Sequence, residues 1–347
     1  MLKYDVISDI MVSLVIPLYN SQITIIDTLN SIKQQTVIPQ EIIIVDDCSK
    51  DNSIIVIKDF QKKNPDINIK LVTNSKRLGP GLSRNKGCDV SNHEYIFFLD
   101  SDVILKKNAI EQFINYIKKY DSVVGIYTKK YNEKSILSFV KAYYYYEMNN
   151  INNPIKTSIF HAAICGIKKS IFDELGGYNK FFSYSIDFEN EELGYRISQK
   201  YNQYLCPAIQ GDHQWPGNFK IFKTMIKRTS YFIEYYLSNL STTKSEKVIL
   251  TKYEAFKIFL SLSFIFSIFL NITINNFFLI PLLIIILLII KYNKNYLNLC
   301  KNDGHNFLKC FFLLILFHNI IGFGICFGIT KFLSRTGKLT NFLKRQK

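Results

Sequence analysis

The chain has 347 residues, of which 48% are hydrophobic, and its formal net charge is +15. This length allows one domain of about 200–250 residues together with a further region. A strong positive charge can indicate nucleic-acid binding, but here basic residues flank long apolar stretches, as they do in membrane anchors that face anionic lipid. We therefore expect membrane lipid, and no nucleic acid, among the partners.

Cysteine usage and the N-terminus indicate the compartment. The chain has 7 cysteines, an odd number, and no two form a CxxC pair. This argues against a disulfide framework and favours reduced thiols in the cytosol. The first residues, MLKYDVISDIM, lack the apolar core of a signal peptide, so we expect the soluble part of the chain to be cytoplasmic.

Short apolar runs alternate with amphipathic segments through the first third of the chain. A parallel strand buried on both faces is a continuous apolar run, whereas an amphipathic helix repeats its apolar residues every three or four positions. The alternation predicts a mostly parallel sheet covered by helices on both faces. The predicted strands are Val12–Pro17, Glu41–Asp47, Asn68–Val72 and Tyr95–Asp100, and the predicted helices are Ser21–Gln35, Ser53–Lys63, Pro80–Cys88 and Asn108–Tyr120.

The order of elements changes after residue 120. The run Tyr143–Tyr146 in this region is more typical of core and interface packing than of a binding site. We predict extended segments at Val123–Tyr127, Ile159–Ile167 and Tyr204–Pro207, and helices at Ile136–Met148, Ser170–Leu175 and Phe188–Gln199. A basic, aromatic helix at Phe219–Leu237 follows, and it is predicted to lie on the membrane surface, with an ordinary packed helix as the alternative.

Three apolar segments dominate the last part of the chain: Phe256–Ile272, Phe277–Ile290 and Leu308–Ile329. The first and third are long enough to span a bilayer, while the second is short and is either a span or a re-entrant segment. Three crossings would place the basic C-terminal tail outside the cell, against the positive-inside rule. Either one segment does not cross fully, or the third folds back at its glycines, Gly322, Gly324 and Gly328.

Acidic residues follow two of the predicted strands: Asp46 and Asp47 end the second strand, and Asp100 and Asp102 follow the fourth. Ligands of an open parallel sheet bind outside the carboxyl ends of its strands. The spacing Asp-Ser-Asp lets two carboxylates face one hard cation, Mg²⁺ or Mn²⁺, which would neutralise a diphosphate leaving group. A single loop aspartate is commonly a turn former, so the two clusters together are the stronger indication.

Four stretches in chain order, VSLVIPLYN, EIIIVDDCSKDNS, NSKRLGPGLSRNKG and YIFFLDSD, resemble the family 2 glycosyltransferases of GT-A fold. A weaker likeness continues to Arg196. The resemblance implies an α/β fold with a Rossmann-like, mostly parallel sheet, followed here by α-helical membrane segments. It also implies a nucleotide-sugar pocket formed by Pro17, Tyr19, Asn20, Asp46, Asp47, Arg84, Asn85, Asp100 and Ser101, and a divalent cation held by Asp100, Asp102 and His213.

Several of these residues have alternative interpretations. A planar guanidinium suits a diphosphate, so Arg84 is chemically apt, although a surface ion pair is the alternative. By the same resemblance His213 is either a metal ligand or a contact of the diphosphate, and the alternative is a loop histidine without a role. Trp215 beside it is expected to stack on a sugar ring or to lie at the membrane interface. We expect His161 to be structural.

The second half of the family pattern departs at one position. The chain reads GGYNKFF and then FENEELGYR, and the aspartate that serves the family as catalytic base corresponds to Asn190, whose amide cannot accept a proton as a base does. The base is Glu189 or Glu191, with Glu189 favoured and Asp187 an outside candidate, or the acceptor is already an anion, or the enzyme is weak or inactive. Acidic residues at a helix N-terminus are also favoured by the helix dipole alone.

The predicted organisation is a GT-A glycosyltransferase catalytic domain at residues 1–215, an amphipathic interfacial region at 216–250, transmembrane helices at 251–330 and a basic cytoplasmic tail at 331–347. The expected function is inverting transfer, at the cell membrane, of a sugar from a nucleotide-diphosphate sugar to a lipid-linked glycan acceptor in cell-envelope polysaccharide or glycoconjugate synthesis. The alternatives are a polyprenyl-phosphate glycosyl synthase and a non-catalytic nucleotide-sugar-binding scaffold. The stretch DSDVILKKN lacks the D-A-D-L-Q-x-P pattern of such synthases.

Overall fold

The computed structural model describes residues 10–149, 151–180, 189–238, 252–273 and 279–345. Within these ranges the chain forms two compact units, which are described separately. One comprises Met1–Tyr131 and Met148–Trp215, and the other comprises Asn132–Glu147 and Pro216–Lys347. Asp187, the outside candidate for the base, lies outside the described residues.

The first four strands of the α/β unit are parallel, as the apolar runs predict. They lie in the spatial order β3-β2-β1-β4, and three helices connect them along the chain. Every residue of β1 and β2 is buried, which is typical of strands covered on both faces. The elements are β1 Val12–Leu18, α1 Ile25–Lys33, β2 Glu41–Asp46, α2 Ser53–Lys63, β3 Ile69–Thr73, α3 Pro80–Asp89 and β4 Tyr95–Leu99.

The remaining strands make the sheet mixed. They extend it in the order β8-β6-β9-β5, and β7 pairs with β9 off this path. β4 pairs antiparallel with β8, and β9 pairs parallel with β6 and antiparallel with β5. The elements are β5 Val103–Leu105, α4 Ala109–Ile117, β6 Ser122–Tyr127, α5 Ile136–Asn149, β7 Ile155–Lys156, β8 Ile164–Lys168, α6 Lys169–Glu174, α7 Glu189–Lys200 and β9 Gln203–His213.

Two strands differ from the sequence prediction. β9 is 11 residues long, whereas the sequence predicts only Tyr204–Pro207, because its last third, QGDH, is polar. β5 has three residues and was not predicted. The polar end of β9 pairs with β5, and β5 is an apolar run too short to show a period, so a local pattern reveals neither.

A close helix–strand contact sets the position of α3. A Cβ built on Gly87 would lie 2.3 Å from Cγ1 of Val15, so only glycine lets α3 pack this tightly on β1. The contact fixes the helix that carries Arg84 against the sheet.

The second unit is helical. It contains α5 together with α8 Asn218–Ser238, α9 Lys252–Thr273, α10 Leu279–Tyr292, α11 Lys294–Asn302 and α12 Phe307–Arg345. Among the described residues two helical stretches, Glu254–Thr273 and Phe307–Ser334, are long and apolar enough to cross a membrane. The pair α10 and α11 is bent by 70° and would raise the number to three if it forms one broken span.

The glycines of α12 serve helix packing. The helix is continuous from Phe307 to Arg345, so the prediction that it folds back at its glycines is wrong. A Cβ on Gly324 would lie 2.7 Å from Cβ of Thr229, and one on Gly328 would lie 2.6 Å from the carbonyl oxygen of Ser230. Small residues spaced in this way let two helices approach closely, and α8 accordingly packs along α12.

Polar side chains are buried inside the helical unit. The Glu254 carboxylate accepts hydrogen bonds from the Tyr144 hydroxyl and, at 2.9 Å, from Lys257 Nζ. His318 is fully buried and contacts Ser261 Oγ through Nδ1 at 3.0 Å. Its Nε2 lies 3.4 Å from the Tyr144 hydroxyl. Tyr143 and Tyr144 are therefore buried, in the packing role predicted for the tyrosine run, whereas Tyr145 is 40% exposed.

Candidate active site

Strand pairing brings Asp102 and His213 together at one edge of the sheet. β5 and β9 are antiparallel in a register that places Val103 opposite His213, and the Gln214 amide donates to the Asp102 carbonyl at 2.8 Å. Nε2 of His213 consequently lies 3.7 Å from Oδ2 of Asp102. Two side chains that are far apart in sequence thus face each other, one directly before β5 and the other at the end of β9.

Arg84 and Asp100 form the second pair of the site. Nη2 of Arg84 donates to Oδ1 of Asp100 at 2.5 Å, and the Arg84 side chain is 3% exposed while that of Asp100 is 32% exposed. Burial by itself would lower the pKa of Arg84, but the neighbouring acidic groups of Tyr178, Asp100 and Glu189 outweigh it and raise the pKa. The guanidinium is therefore a permanent charge behind Asp100.

The two aspartates of the Asp-Ser-Asp motif thus have different neighbours. Asp100 is held by Arg84, whereas Asp102 faces His213. The binding of both carboxylates to one cation stays a prediction. Ser101 between them is buried, and its hydroxyl lies 2.8 Å from that of Ser21.

The aspartates after β2 organise loops. Asp47 is buried and accepts hydrogen bonds from the amides of Leu78 and Gly79 at 2.7 and 2.8 Å. Asp46 is also buried and accepts from the Ser49 amide at 3.2 Å. These contacts fix both loops around the predicted nucleotide pocket. A direct contact of either carboxylate with a base or ribose stays a prediction.

Three predicted pocket residues lie at or directly after the carboxyl end of β1. Pro17 is buried within β1, and the half-buried ring of Tyr19 lies 3.9 Å from the Arg77 guanidinium. Asn20 adopts a positive φ of 50°, and its Oδ1 accepts from the Lys50 amide at 2.8 Å. The structure brings these predicted pocket residues together, and their contacts with a nucleotide stay predictions.

Tyr178 is a central residue that the sequence pattern does not single out. Its backbone is held at both its amide and its carbonyl by the Asn85 side chain, at 2.8 and 2.9 Å. Its hydroxyl donates to Oδ1 of Asn190 at 3.1 Å. Burial raises the pKa of the Tyr178 hydroxyl well above its usual range, so it remains a neutral donor. The sequence feature that could have pointed to Tyr178 is its position directly after Gly176 and Gly177, within the family pattern.

The acidic start of α7 contains residues with different surroundings. Glu189 is buried and contributes to the charge environment of Arg84. Glu192 is paired with Arg196, whose Nε and Nη2 each donate to it at 2.7 Å, and Arg196 also donates to the carbonyls of Leu175 and Gly177. Glu192 is therefore structural, whereas Glu189 lies beside the site. The roles of Glu189, Asn190 and Glu191 in catalysis stay predictions.

His213 is enclosed by aromatic rings. Trp215 stacks on it with a centroid distance of 4.1 Å, and Tyr127 meets its edge at 4.9 Å. Trp215 is 5% exposed, so it offers no open face for the predicted stacking on a sugar. His161 lies on the other side of this cluster, with its ring 4.8 Å from that of Tyr127.

Asp212, which the sequence reading overlooked, anchors the end of β9. It is buried, and it accepts hydrogen bonds from Thr128 Oγ1 at 2.5 Å and from Lys106 Nζ at 3.0 Å. Burial would raise its pKa, but these hydrogen bonds lower it. An ionised, fixed Asp212 next to His213 holds the strand that supplies the histidine.

The donor set fits a divalent cation with two protein ligands. The described residues contain no group of three or more His, Cys, Asp and Glu side chains placed to hold a metal. However, Mg²⁺ is commonly bound through only one or two protein carboxylates and completes its shell with phosphate oxygens and water, with ligands at about 2.1 Å. The 3.7 Å separation between Asp102 Oδ2 and His213 Nε2 is compatible with both atoms binding one such ion.

Comparison with known proteins assigns one stretch of the chain to a family. Residues 13–176 match the family model described as glycosyl transferase family 2. The chain carries a glycosyl transferase family 2 domain. This domain contains all the predicted pocket residues and Asp102, while His213 and α7 follow it in sequence. The family resemblance and the α/β GT-A fold predicted from the motifs are confirmed.

Curated relatives of the family 2 domain are named as glycosyltransferases. The poly(ribitol-phosphate) beta-N-acetylglucosaminyltransferase TarP of Staphylococcus aureus is 30% identical over 212 residues, covering 56% of this chain and 62% of the relative. The UDP-Glc:alpha-D-GlcNAc-diphosphoundecaprenol beta-1,3-glucosyltransferase WfgD of Escherichia coli is 34% identical over 111 residues, covering 32% and 42%. The chain thus spans less than two thirds of the length of these relatives.

A solved structure supports the fold. The mannosyltransferase PcManGT from Pyrobaculum calidifontis, in complex with GDP-Man and Mn²⁺, superimposes with a TM-score of 0.59 at 16% identity and covers 92% of this chain and 86% of its own. At this identity the likeness establishes the shared architecture alone.

Proposed function

We propose that this chain is a membrane-bound inverting glycosyltransferase that transfers a sugar from a nucleotide-diphosphate sugar to a lipid-linked glycan acceptor in cell-envelope polysaccharide synthesis. The observation that carries the proposal is the meeting of two pairs, Arg84 with Asp100 and Asp102 with His213, at strand ends associated with a family 2 domain. The printed names of TarP and WfgD support an envelope polymer or a lipid-linked sugar as acceptor class.

Each pair has a distinct role in the proposed reaction. Arg84 fixes the Asp100 carboxylate by a charge-assisted hydrogen bond, so Asp100 is preorganised towards the donor. Asp102 and His213 would hold Mg²⁺ or Mn²⁺. The bound cation would stabilise the negative charge of the departing diphosphate. The loops held by Asp46 and Asp47 would shape the nucleotide end of the pocket.

The acceptor oxygen must lose a proton, and Glu189 is the proposed base. It is buried near the Arg84 guanidinium, whose positive charge stabilises the ionised carboxylate that a base requires. Asn190 accepts a hydrogen bond from Tyr178 and, as an amide, does not take this role. Glu189→Gln should lose most of the transfer rate while Asn190→Ala retains most of it. The reverse result would show that the base is assigned wrongly.

The helical unit is proposed to anchor the enzyme in the cell membrane in a multi-pass arrangement, with the family 2 domain in the cytoplasm. Two helical stretches have the length and apolarity of spans. The first half of α8 exposes Phe219 and Phe222, at 79% and 42%, next to Lys220, Lys223 and Lys227. Apolar rings beside lysines are typical of a helix face that enters the headgroup region of anionic lipid, which would keep the site near lipid-linked acceptors.

The test uses the full chain purified in detergent. A thermal-shift panel of UDP- and GDP-sugars, each with Mg²⁺ or Mn²⁺, identifies the donor, and radiolabelled transfer into bacterial lipid extract measures the reaction. Asp102→Ala should reduce turnover by about 10³-fold. Asp59→Ala, on the exposed face of α2, is the matched control and should retain full turnover. Stabilisation by a nucleotide sugar without any transfer or hydrolysis would instead indicate a non-catalytic binding protein.

A further inference from the structure

The aromatic rings around His213 form a fixed frame for one imidazole. Trp215 stacks on its face with planes inclined by 28°, and Tyr127 packs at its edge at 76°. The two framing rings also contact each other, with centroids 5.6 Å apart. The Trp215 indole N–H donates to the Lys130 carbonyl at 3.0 Å, so the tryptophan is itself held in a single orientation.

The backbone on both sides of His213 is held by separate contacts. Asp212 is anchored by Thr128 and Lys106, the Gln214 amide donates to the Asp102 carbonyl, and the Trp215 amide donates to the His213 carbonyl at 3.0 Å. The strand end is therefore fixed without the indole ring. The rotation of the imidazole about its side-chain bonds is a separate degree of freedom, and this rotation decides where Nε2 points.

We propose that Trp215 is a positioning residue of the cation site, which by its stacking keeps Nε2 of His213 directed towards Asp102. The inference rests on the proposed function, because the cation is a part of it. A metal ligand whose orientation is fixed before binding loses less rotational freedom, and outer-shell groups of this kind commonly change metal affinity by about 10- to 100-fold. Packing alone would give Trp215 an effect on stability without an effect on the affinity of the folded protein.

The chain contains one tryptophan, so its own emission reports on the site. Mn²⁺ is paramagnetic and quenches the emission of an indole a few ångströms away, whereas diamagnetic Mg²⁺ does not. The full chain in detergent is titrated with Mn²⁺ in the presence of UDP and, in a parallel series, of GDP. Saturable quenching is expected for the wild type, and His213→Ala should show only the linear quenching of random encounters.

The deciding variants are Trp215→Met, which fills space without a flat ring, and Trp215→Phe, which keeps a ring. Mn²⁺ affinity is measured from the electron paramagnetic resonance of the free ion. Trp215→Met should weaken binding by about 10-fold or more, and Trp215→Phe should stay close to the wild type. Tyr127→Leu is the second test, with a smaller loss expected, should Trp215→Met not fold.

Two results distinguish a failure of the positioning role from a failure of the proposed cation site. A folded Trp215→Met protein with wild-type Mn²⁺ affinity, or an equal loss in Trp215→Phe, would overturn the positioning role and leave the cation site intact. A wild-type chain that binds no Mn²⁺ with either nucleotide would remove the cation site itself, and with it the proposed assignment of Asp102 and His213.

Discussion

A nearly buried cation is paired with a carboxylate in each of the two units of the chain. In the α/β unit the Arg84 side chain is 3% exposed and its partner Asp100 is 32% exposed. In the helical unit Lys257 is 5% exposed and its partner Glu254 is 13% exposed, with the Tyr144 hydroxyl on the same carboxylate. One pair thus leaves its anion partly open at the strand ends, whereas the other is enclosed by its own neighbours.

The two pairs show that a buried ion pair can serve two different purposes. A buried charge is costly unless it is paired and hydrogen-bonded. The Arg84 pair lies at the strand ends where the donor is proposed to bind. There, an oriented carboxylate is useful in the proposed reaction. The Lys257 pair lies among apolar helices, where the gain is a defined packing of α5, α9 and α12. Breaking each pair should therefore affect different measurements.

The largest effect is expected for Lys257→Met. Removing one partner of a buried pair leaves an uncompensated charge and costs about 3–5 kcal/mol, so the helical unit should unfold at a much lower temperature, as followed by circular dichroism in detergent. In the double variant with Glu254→Gln, most of the loss should be recovered. No recovery would mean that Lys257 stabilises through packing rather than through its charge.

Arg84→Lys tests the other pair. Lysine keeps the charge but not the planar donor geometry, so kcat/KM for the nucleotide sugar should fall by about 10²-fold, or about 2.7 kcal/mol of transition-state stabilisation. The melting temperature should change far less than in Lys257→Met. A variant that loses stability and keeps its turnover would place Arg84 in the same structural role as Lys257.

Gly328→Ala tests how closely α8 and α12 of the helical unit must pack. An added Cβ would lie 2.6 Å from the Ser230 carbonyl oxygen, and such overpacking costs about 1–3 kcal/mol. The melting temperature in detergent should fall accordingly. Gly217→Ala is the matched control, because its Cβ would meet nothing within 4 Å. Equal melting of both variants would contradict the close contact between α8 and α12.

The smallest effect is expected for Asp212→Asn, which removes a third buried charge. Asparagine keeps an acceptor for Thr128 but loses the attraction of Lys106 and Lys130, at a cost of about 1 kcal/mol. The pKa of Asp212 is lowered in the folded state, so its stabilisation is present above the unfolded value of about 3.9 and is lost as the pH falls through the folded value. The difference in melting temperature from the wild type should be full at pH 7 and shrink below about pH 4. A difference independent of pH would contradict an ionised Asp212.

The first half of the α/β unit was predictable from the sequence. β1, β2 and β4 are continuous apolar runs, and the connecting helices α1 and α2 repeat their apolar residues in the helical period, whereas α3 was indicated by the family motif. The motifs around Arg84 and Asp100 indicated the family resemblance and the edge of the sheet at which the candidate site lies. The apolar length of α9 and α12 likewise determined which segments are candidate spans, because length and composition are local properties.

Which of these residues meet depends on how the whole chain folds. His213 reaches Asp102 because the polar end of β9 pairs with the short strand β5. Such a register depends on the partner strand rather than on a pattern within either segment. The stacking of Trp215 on His213 and the packing of Tyr144 in the helical unit depend in the same way on contacts between distant segments. Periodicity reports how one segment buries its own face, but the neighbour that covers that face is chosen by the whole fold.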